Sequence, residues 1–336
     1  MKDHWYVAAE SAELKGKPLA RMIDGEPLVL FREASGQVGV LRDRCSHRNV
    51  QLSRGWVKDG CLTCPYHGWK FDADGQCVQI PALCADDPLP KKSAVPSYPV
   101  IEQQGYIWVY LGEGTPRSAA PFTLPHMVEP GWAWVRLKAT VRNHVDNVIE
   151  NFIDCPHTGF IHGGLFRSEP DHTVETVVRT REDGIDIEID EEAKTNSLLG
   201  RLILAPGEQV KHVDSFHMPS IVSVRYAFGP KREVVGYQIC TPVNEFETEV
   251  YVHVTWRLGW LAPLIKPFVS LVGRKVLDQD LWILENQAEQ IRKYGAGFCS
   301  TGADTANMWI RNFRRRAQEG GTGNQPGLET KVKFRL

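Results

Sequence analysis

The chain has 336 residues and a mass of 37.9 kDa, with 42% hydrophobic and 24% charged residues, the composition of about two globular domains rather than of a disordered chain. A net charge of −2 gives no basic field for nucleic acid or anionic lipid, and eight cysteines are too sparse for a disulfide scaffold, which turns attention to metal or thiol chemistry. The opening Met1-Lys2-Asp3-His4-Trp5 has no apolar signal core, and the greasiest stretch, Gly259 to Gly273, is broken by Pro263, Lys266 and Pro267, so the chain reads as a cytoplasmic protein without a membrane span.

In chain order, the first 115 residues carry short β-rich runs at Trp5 to Ala9, Pro27 to Phe31, Val38 to Leu41, Cys61 to Cys64, Cys77 to Ile80 and Tyr106 to Leu111. Asp24-Gly25, Ser35-Gly36, Asp59-Gly60 and Asp74-Gly75 lie between them as turn signals, which predicts a small antiparallel sandwich or barrel. A Pro- and Gly-containing connector from Gly112 to Pro130 marks a domain boundary. Beyond it, Asn143 to about Thr158 places Val145, Val148, Ile149 and Phe152 at helical spacing. Residues 173–256 hold alternating strands such as Ile185-Asp186-Ile187-Glu188-Ile189, and a long amphipathic helix runs from about Leu264 to Lys293 and closes at Gly295. The end of the chain, with Arg314-Arg315-Arg316 and several glycines, reads as a short helix and a frayed tail.

Two constellations carry chemistry. In the first, Cys45-Ser46-His47 and Cys64-Pro65-Tyr66-His67 each offer one thiolate and one imidazole, with sixteen residues between the halves. A structural zinc site also favours two Cys and two His, but it pairs like with like in each half. One of each in both halves suits two loops clamping a Rieske 2Fe–2S centre, in which two His replace two Cys on one iron. Cys61 and Cys64 have the spacing of a redox CxxC pair, a reading that leaves His47 and His67 unexplained.

In the second, Asn151, Asp154, His157 and His162 fall within twelve residues. Iron that activates O2 is held by two His and one carboxylate on one face with positions left open. Asp154 and His157 would be neighbours on a helix, but His157 and His162 are five apart and about 140° around it, so they share a metal only if the backbone breaks, which Pro156 and Gly159 make plausible. His212 and His217 have the same gap, but in an alternating segment they would face opposite sides of a strand and carry little weight as ligands.

Together these motifs resemble the Rieske non-haem iron oxygenases over about residues 5–300. The resemblance implies an α+β chain: an all-β Rieske domain over residues 1–115, an antiparallel-sheet catalytic domain with helices (helix-grip-like) over 116–310, and a C-terminal helix and tail over 311–336. It implies that Cys45, His47, Cys64 and His67 hold the 2Fe–2S cluster. It further implies that His157, His162 and a late Asp hold mononuclear Fe(II), with Asn151 and Asp154 as catalytic residues. Asp280, followed five residues on by Glu285, fits that late Asp, with Asp278 as the alternative. Asp154 would bridge an iron-ligating His to the cluster-ligating His67 of a neighbouring subunit, in a head-to-tail homotrimer fed by a ferredoxin or an NAD(P)H-dependent reductase. Respiratory-type Rieske proteins carry a disulfide at positions corresponding to Val50 and Tyr66, and a serine at Trp69; lacking these, this centre would have a lower potential.

The Asn-x2-Asp spacing and the chain length resemble the stand-alone branch that includes vanillate- and dicamba-type demethylases, which implies C–H hydroxylation or oxidative demethylation of a small aromatic or cyclic substrate with O2. The alternatives are a ring cis-dihydroxylating dioxygenase, a Rieske electron carrier without oxygenase activity, and a zinc-stabilised binding module. Arg311, Arg314, Arg315 and Arg316 are expected to form a solvated helix face, Cys155 to be a small packed side chain, and Trp256, Trp260 and Phe268 to be aromatic core. His217, Met218, Phe228 and Tyr237 are candidate pocket residues.

Overall fold

The computed structural model describes residues 1–84, 86–112, 116, 118–163, 173–191, 210–229, 231–260, 262–321 and 325–336. Residues 113–115 and 117 of the expected connector, and 192–209 of the stretch expected to alternate, lie outside them. Two units divide the chain, Met1–Thr123 and Leu124–Leu336.

The first unit contains only strands and single 3-10 turns among its described residues. β1 (His4–Glu10), β9 (Val100–Gln103) and β10 (Tyr106–Leu111) form one sheet in the order β1-β10-β9. β2 (Leu19–Ile23), β3 (Glu26–Arg32) and β4 (Val38–Arg42) form a second, and β5 (Trp56–Lys58), β6 (Cys61–Thr63), β7 (Lys70–Phe71) and β8 (Cys77–Gln79) a third. Asp24-Gly25 joins β2 to β3 and Asp59-Gly60 joins β5 to β6, with both residues of each pair at positive φ, the type I′ geometry that suits a two-residue hairpin. Strands β2, β5, β7 and β9 were not legible as runs, because each is short or interrupted by polar residues. Val29, Phe31, Leu41, Leu52, Leu62 and Phe71 form a core that also encloses Cys45 and Cys64.

The second unit is an eight-stranded antiparallel sheet. Its strands are β11 (Ala133–Val141), β12 (Thr173–Thr180), β13 (Gly184–Glu191), β14 (Val210–His217), β15 (Ile221–Phe228), β16 (Arg232–Asn244), β17 (Glu247–Arg257) and β18 (Glu329–Arg335). Their order is β11-β17-β16-β15-β14-β13-β12-β18. Among the described residues the α-helices are α1 (Val145–Ile153), the single turn α2 (Thr158–Ile161), α3 (Lys266–Tyr294) and α4 (Thr305–Gln318). Val145, Val148 and Ile149 of α1, Leu277 and Leu284 of α3, and Ile310 and Phe313 of α4 share one core with Val178, Ile185, Phe216, Val222 and Val250 of the sheet. The helices therefore cover one face of the sheet, as the amphipathic spacing of α1 and α3 requires.

Three departures from the sequence reading matter for the site. The first helix stops at Ile153 rather than Thr158: Asp154 is already extended (φ −78°, ψ 104°) and Pro156 has no N–H to continue the ladder. The expected frayed end is a strand, because Lys331, Lys333 and Arg335 alternate with Val332 and Phe334, a two-residue period hidden by its charge. Finally, Arg311 and Arg314 are not a solvated face. Arg311 bonds Glu150 (2.6 Å) and Asn147 (2.8 Å), and Arg314, 3% exposed, bonds Asp146 (2.5 Å) and the Pro219 carbonyl, so that α4 clamps α1.

Burial alone would raise the Asp146 carboxyl, but the Arg314 charge, with His144 and Arg311, outweighs it and holds Asp146 below the usual carboxylate range. The pair's contribution is therefore present at neutral pH, above the unfolded carboxylate value, and lost as pH falls through the depressed one. Arg314→Ala leaves the half-buried Asp146 with only His144 and Arg311 charges near it and is expected to cost about 1–3 kcal/mol at pH 7, against about 0.5 kcal/mol or less for exposed Arg315→Ala, with the gap closing in acid. Urea unfolding of the two variants at pH 7 and at pH 3 reads this directly.

Candidate metal centres

The N-terminal donors sit on two loops of one design. Cys45 N donates to Val50 O (2.9 Å) and Asn49 N to Cys45 O (3.0 Å); Cys64 N donates to Trp69 O (2.8 Å) and Gly68 N to Cys64 O (3.1 Å). In both loops the fourth residue after the Cys has positive φ, Asn49 at 61° and Gly68 at 71°, which turns the chain back on itself. His47 and His67 thereby meet with ring centroids 4.5 Å apart, and Trp69 stacks on His47 at 4.7 Å. Cys45 and Cys64 are free and buried, while His67 and its neighbour Tyr66 are exposed.

These residues suit a cluster. Burial, with the Cys64 thiol alongside, pushes Cys45 up to about 11, so a thiolate at Cys45 needs a cation to be stable. Nδ1 of His47 is buried with no hydrogen-bond partner among the described residues, a position that a metal satisfies. Two sulfurs and two imidazole nitrogens on facing loops are the donor set of a Rieske centre. Val50 and Tyr66 provide no disulfide, and among the described residues every cysteine is free.

The second centre depends on the break after α1. The chain leaves the helix at Asp154, passes Pro156, and resumes one turn at Thr158, which brings His157 and His162 together with ring centroids 5.2 Å apart at 75°. Asp280 comes from α3, where Leu277, Asp280, Leu284 and Ala288 make the buried stripe, so a carboxylate occupies a position that the helix period reserves for an apolar side chain. Its Oδ1 lies 3.1 Å from Nε2 of His162 and 3.7 Å from Nε2 of His157. Asp278 is exposed.

The orienting bonds are as informative as the donors. Asn151 Nδ2 donates to Asp280 Oδ1 (3.0 Å), Nδ1 of His162 meets Gln279 Oε1 (3.0 Å), and Nδ1 of His157 meets the Asp154 carbonyl. Both imidazoles thus have Nδ1 occupied and Nε2 aimed at the carboxylate, and the three donor atoms lie within 4.8 Å of one another. Burial would lower His162, but its bond to Asp280 outweighs that and raises it, so a cation seated here takes the place of a proton. Asp154 lies 3.7 Å from Nδ1 of His157, and burial, with Asp304 and Glu150 nearby, pushes it up to about 7.

Gln279 and the Asp214–His212 pair carried no readable sequence signal. His212 and His217 do face opposite sides of β14, but His212 is 2% exposed and bonds Asp214 (2.8 Å), which bonds Cys155 (3.1 Å). Tyr237 and His217 lie on the sheet face away from α1, whereas Met218 packs into the core beneath it and Phe228 lies on the α1 side. Trp256 is core as expected, its Nε1 bonded to Ala262 O, but Trp260 and Phe268 are exposed.

Known proteins resemble the chain in both units. Residues 4–99 match the Rieske [2Fe-2S] domain, and residues 141–319, more than half of the chain, match the vanillate O-demethylase oxygenase C-terminal domain. The 3-chlorobenzoate-3,4-dioxygenase oxygenase subunit of Comamonas testosteroni is 39% identical over 175 residues, 50% of this chain and 40% of that one. The dicamba O-demethylase oxygenase component of Stenotrophomonas maltophilia is 37% identical over 165 residues, 48% of each. The chain spans about half the length of the curated relatives it matches. In fold it is similar to dicamba monooxygenase bound to dicamba, with a TM-score of 0.78 at 24% identity over 95% of this chain and 97% of that one. No helix among the described residues is long and apolar enough to cross a membrane. With a Rieske domain followed by a vanillate O-demethylase-type oxygenase domain, the chain belongs to the Rieske non-haem iron oxygenases.

Proposed function

We propose that this chain is the oxygenase component of a monooxygenase, which uses O2 and NAD(P)H-derived electrons from a reductase or ferredoxin to hydroxylate or demethylate a small aromatic or cyclic molecule in the cytoplasm. The observation that carries the proposal is the convergence of His157, His162 and Asp280 on one point, with Asp154 beside His157. Cys45, His47, Cys64 and His67 would hold the 2Fe–2S cluster in a Rieske domain over residues 1–115, and His157, His162 and Asp280 the iron in a catalytic domain over 116–310. When bound, the cluster supplies single electrons and the mononuclear iron supplies the activation of O2.

The protein's own residues do the rest. Asn151 fixes the Asp280 carboxylate from one side, and Gln279 holds His162 so that Nε2 faces inward. Three donors on one side leave the other side open to O2 and substrate. His67 lies at the surface, where a partner can reach it. Asp154, linking His157 to His67 of a neighbouring copy, would carry the electron between subunits of a head-to-tail trimer. Leu264, Leu271 and Trp282 are each at least 66% exposed, and Arg274, Lys275, Asp278 and Gln279 lie with Leu271 and Trp282, a mixed surface of the kind that a partner chain covers. The Asn-x2-Asp spacing and the dicamba O-demethylase relative support monooxygenation, while the relative named a 3,4-dioxygenase makes dihydroxylation the second reading.

Purified protein reconstituted with iron and sulfide is expected to hold about three irons per two acid-labile sulfides. Two irons would leave an electron carrier, and colourless zinc protein a binding module. Asp154→Asn is expected to keep both metal contents yet slow cluster reoxidation by O2 about 10- to 100-fold in stopped flow. Reoxidation at the parent rate would remove Asp154 from the electron route.

A further inference from the structure

Behind the link between α1 and α2 lies a second trio of buried groups that the proposed reaction does not use. Cys155, His212 and Asp214 are 7%, 2% and 1% exposed. The Cys155 thiol donates to Oδ2 of Asp214 over 3.1 Å, and Nε2 of His212 lies 2.8 Å from Oδ1. The three donor atoms fall within 4.8 Å of one another, close enough for a metal ion. Yet the two donors are matched to the two oxygens of one carboxylate, the arrangement that lets a carboxylate be buried without a metal. His212 is stacked on Tyr226 at 4.1 Å, which fixes the ring and the carboxylate it orients.

Cys155 occupies a sensitive place, directly after Asp154 and two residues before His157. Within the link, Asp154 N donates to Glu150 O (2.9 Å), and Thr158 N (3.2 Å) and Oγ1 (2.8 Å) to Cys155 O, bonds that are all local. The bond to Asp214 spans 59 residues and reaches β14, an interior strand of the sheet with β13 and β15 paired on either side. A non-helical link has no ladder to set its path, so a fixed anchor on the sheet decides where its side chains project. We propose that Asp214 is a positioning residue for the iron site: oriented by His212, it pins Cys155 and so sets where the link presents Asp154 and His157. The inference rests on His157 being an iron ligand.

The test uses full-length, cluster-loaded protein as parent, Asp214→Asn, Cys155→Ala, Cys155→Ser and His162→Ala, each stripped of mononuclear iron. Ferrous ion is titrated back, the nitric oxide adduct is recorded by electron paramagnetic resonance, and zinc is measured. Asp214→Asn and Cys155→Ala are expected to bind ferrous ion about tenfold or more weakly, with an altered nitrosyl signal and unchanged cluster absorption, and Cys155→Ser to recover both. A merely structural role would lower the melting temperature without moving the nitrosyl signal. Parent-like affinity and signal in Cys155→Ala and Asp214→Asn overturn the proposal, as does about one zinc per chain that Cys155→Ala loses, which would make the trio a metal site. Should Asp214→Asn fail to load its cluster, the Cys155 pair decides by the same criteria. Ferrous binding in His162→Ala equal to the parent's would instead remove the iron assignment, and this proposal with it.

Discussion

A regular helix carries residues five apart to different sides of its cylinder, so His157 and His162 can face one metal only where the helix is interrupted. Residues Asp154 to Pro156 provide that interruption, and much of the second unit serves to hold it in place. Helix α1 is anchored on its flank by Arg311 and Arg314 of α4, at its start by Asn143, whose amide reaches the Leu284 carbonyl of α3 (2.8 Å), and on its apolar face by the sheet. The link that follows can therefore leave helical geometry without the whole helix fraying.

The same economy appears at Asp280. An unpaired carboxylate on the buried stripe of a helix costs several kcal/mol, and at this position it is matched to Asn151 and to the two imidazoles. A divalent cation held by the same three donors would replace the direct contacts between the imidazoles and the carboxylate, so that metal affinity and local order would be linked. The N-terminal loops follow a related logic with softer donors: the buried Cys45 thiol is unfavourable as a thiolate until a cation joins it, and Asn49 and Gly68 supply the backbone turns of the two loops.

What was legible in the sequence was what depends on local spacing. The Cys-x-His and Cys-x2-His halves, the Asn-x2-Asp-x2-His-x4-His run, the hairpins at Asp24-Gly25 and Asp59-Gly60, and the closing Gly295 of α3 are all short-range patterns with one dominant geometry. Asp280 against Asp278 was open in the sequence, because the two lie two residues apart before the same short apolar run, Leu281 to Leu284; the phase of the stripe through Leu277 and Leu284 places Asp280 inward. Features that depend on distant partners were hidden. Arg314 looked solvated because its partner, Asp146, lies 168 residues away, and Cys155 looked like filler because Asp214 becomes its neighbour only when β14 joins the sheet. The final strand was hidden for another reason: its alternation is carried by lysines, which sequence reading assigns to tails.

The central claim is that one chain combines a one-electron store with an iron centre at which O2 meets an organic substrate. It is tested most directly by a single turnover of chemically reduced, iron-loaded protein under ¹⁸O2, across a panel of methoxy-aromatic, N-methyl and alicyclic compounds, with products read by mass. One ¹⁸O atom in a product, or formaldehyde equal to the substrate lost, is expected from the parent, and neither from His162→Ala. Product oxygen drawn from water, or equal labelling by parent and His162→Ala, would contradict the claim.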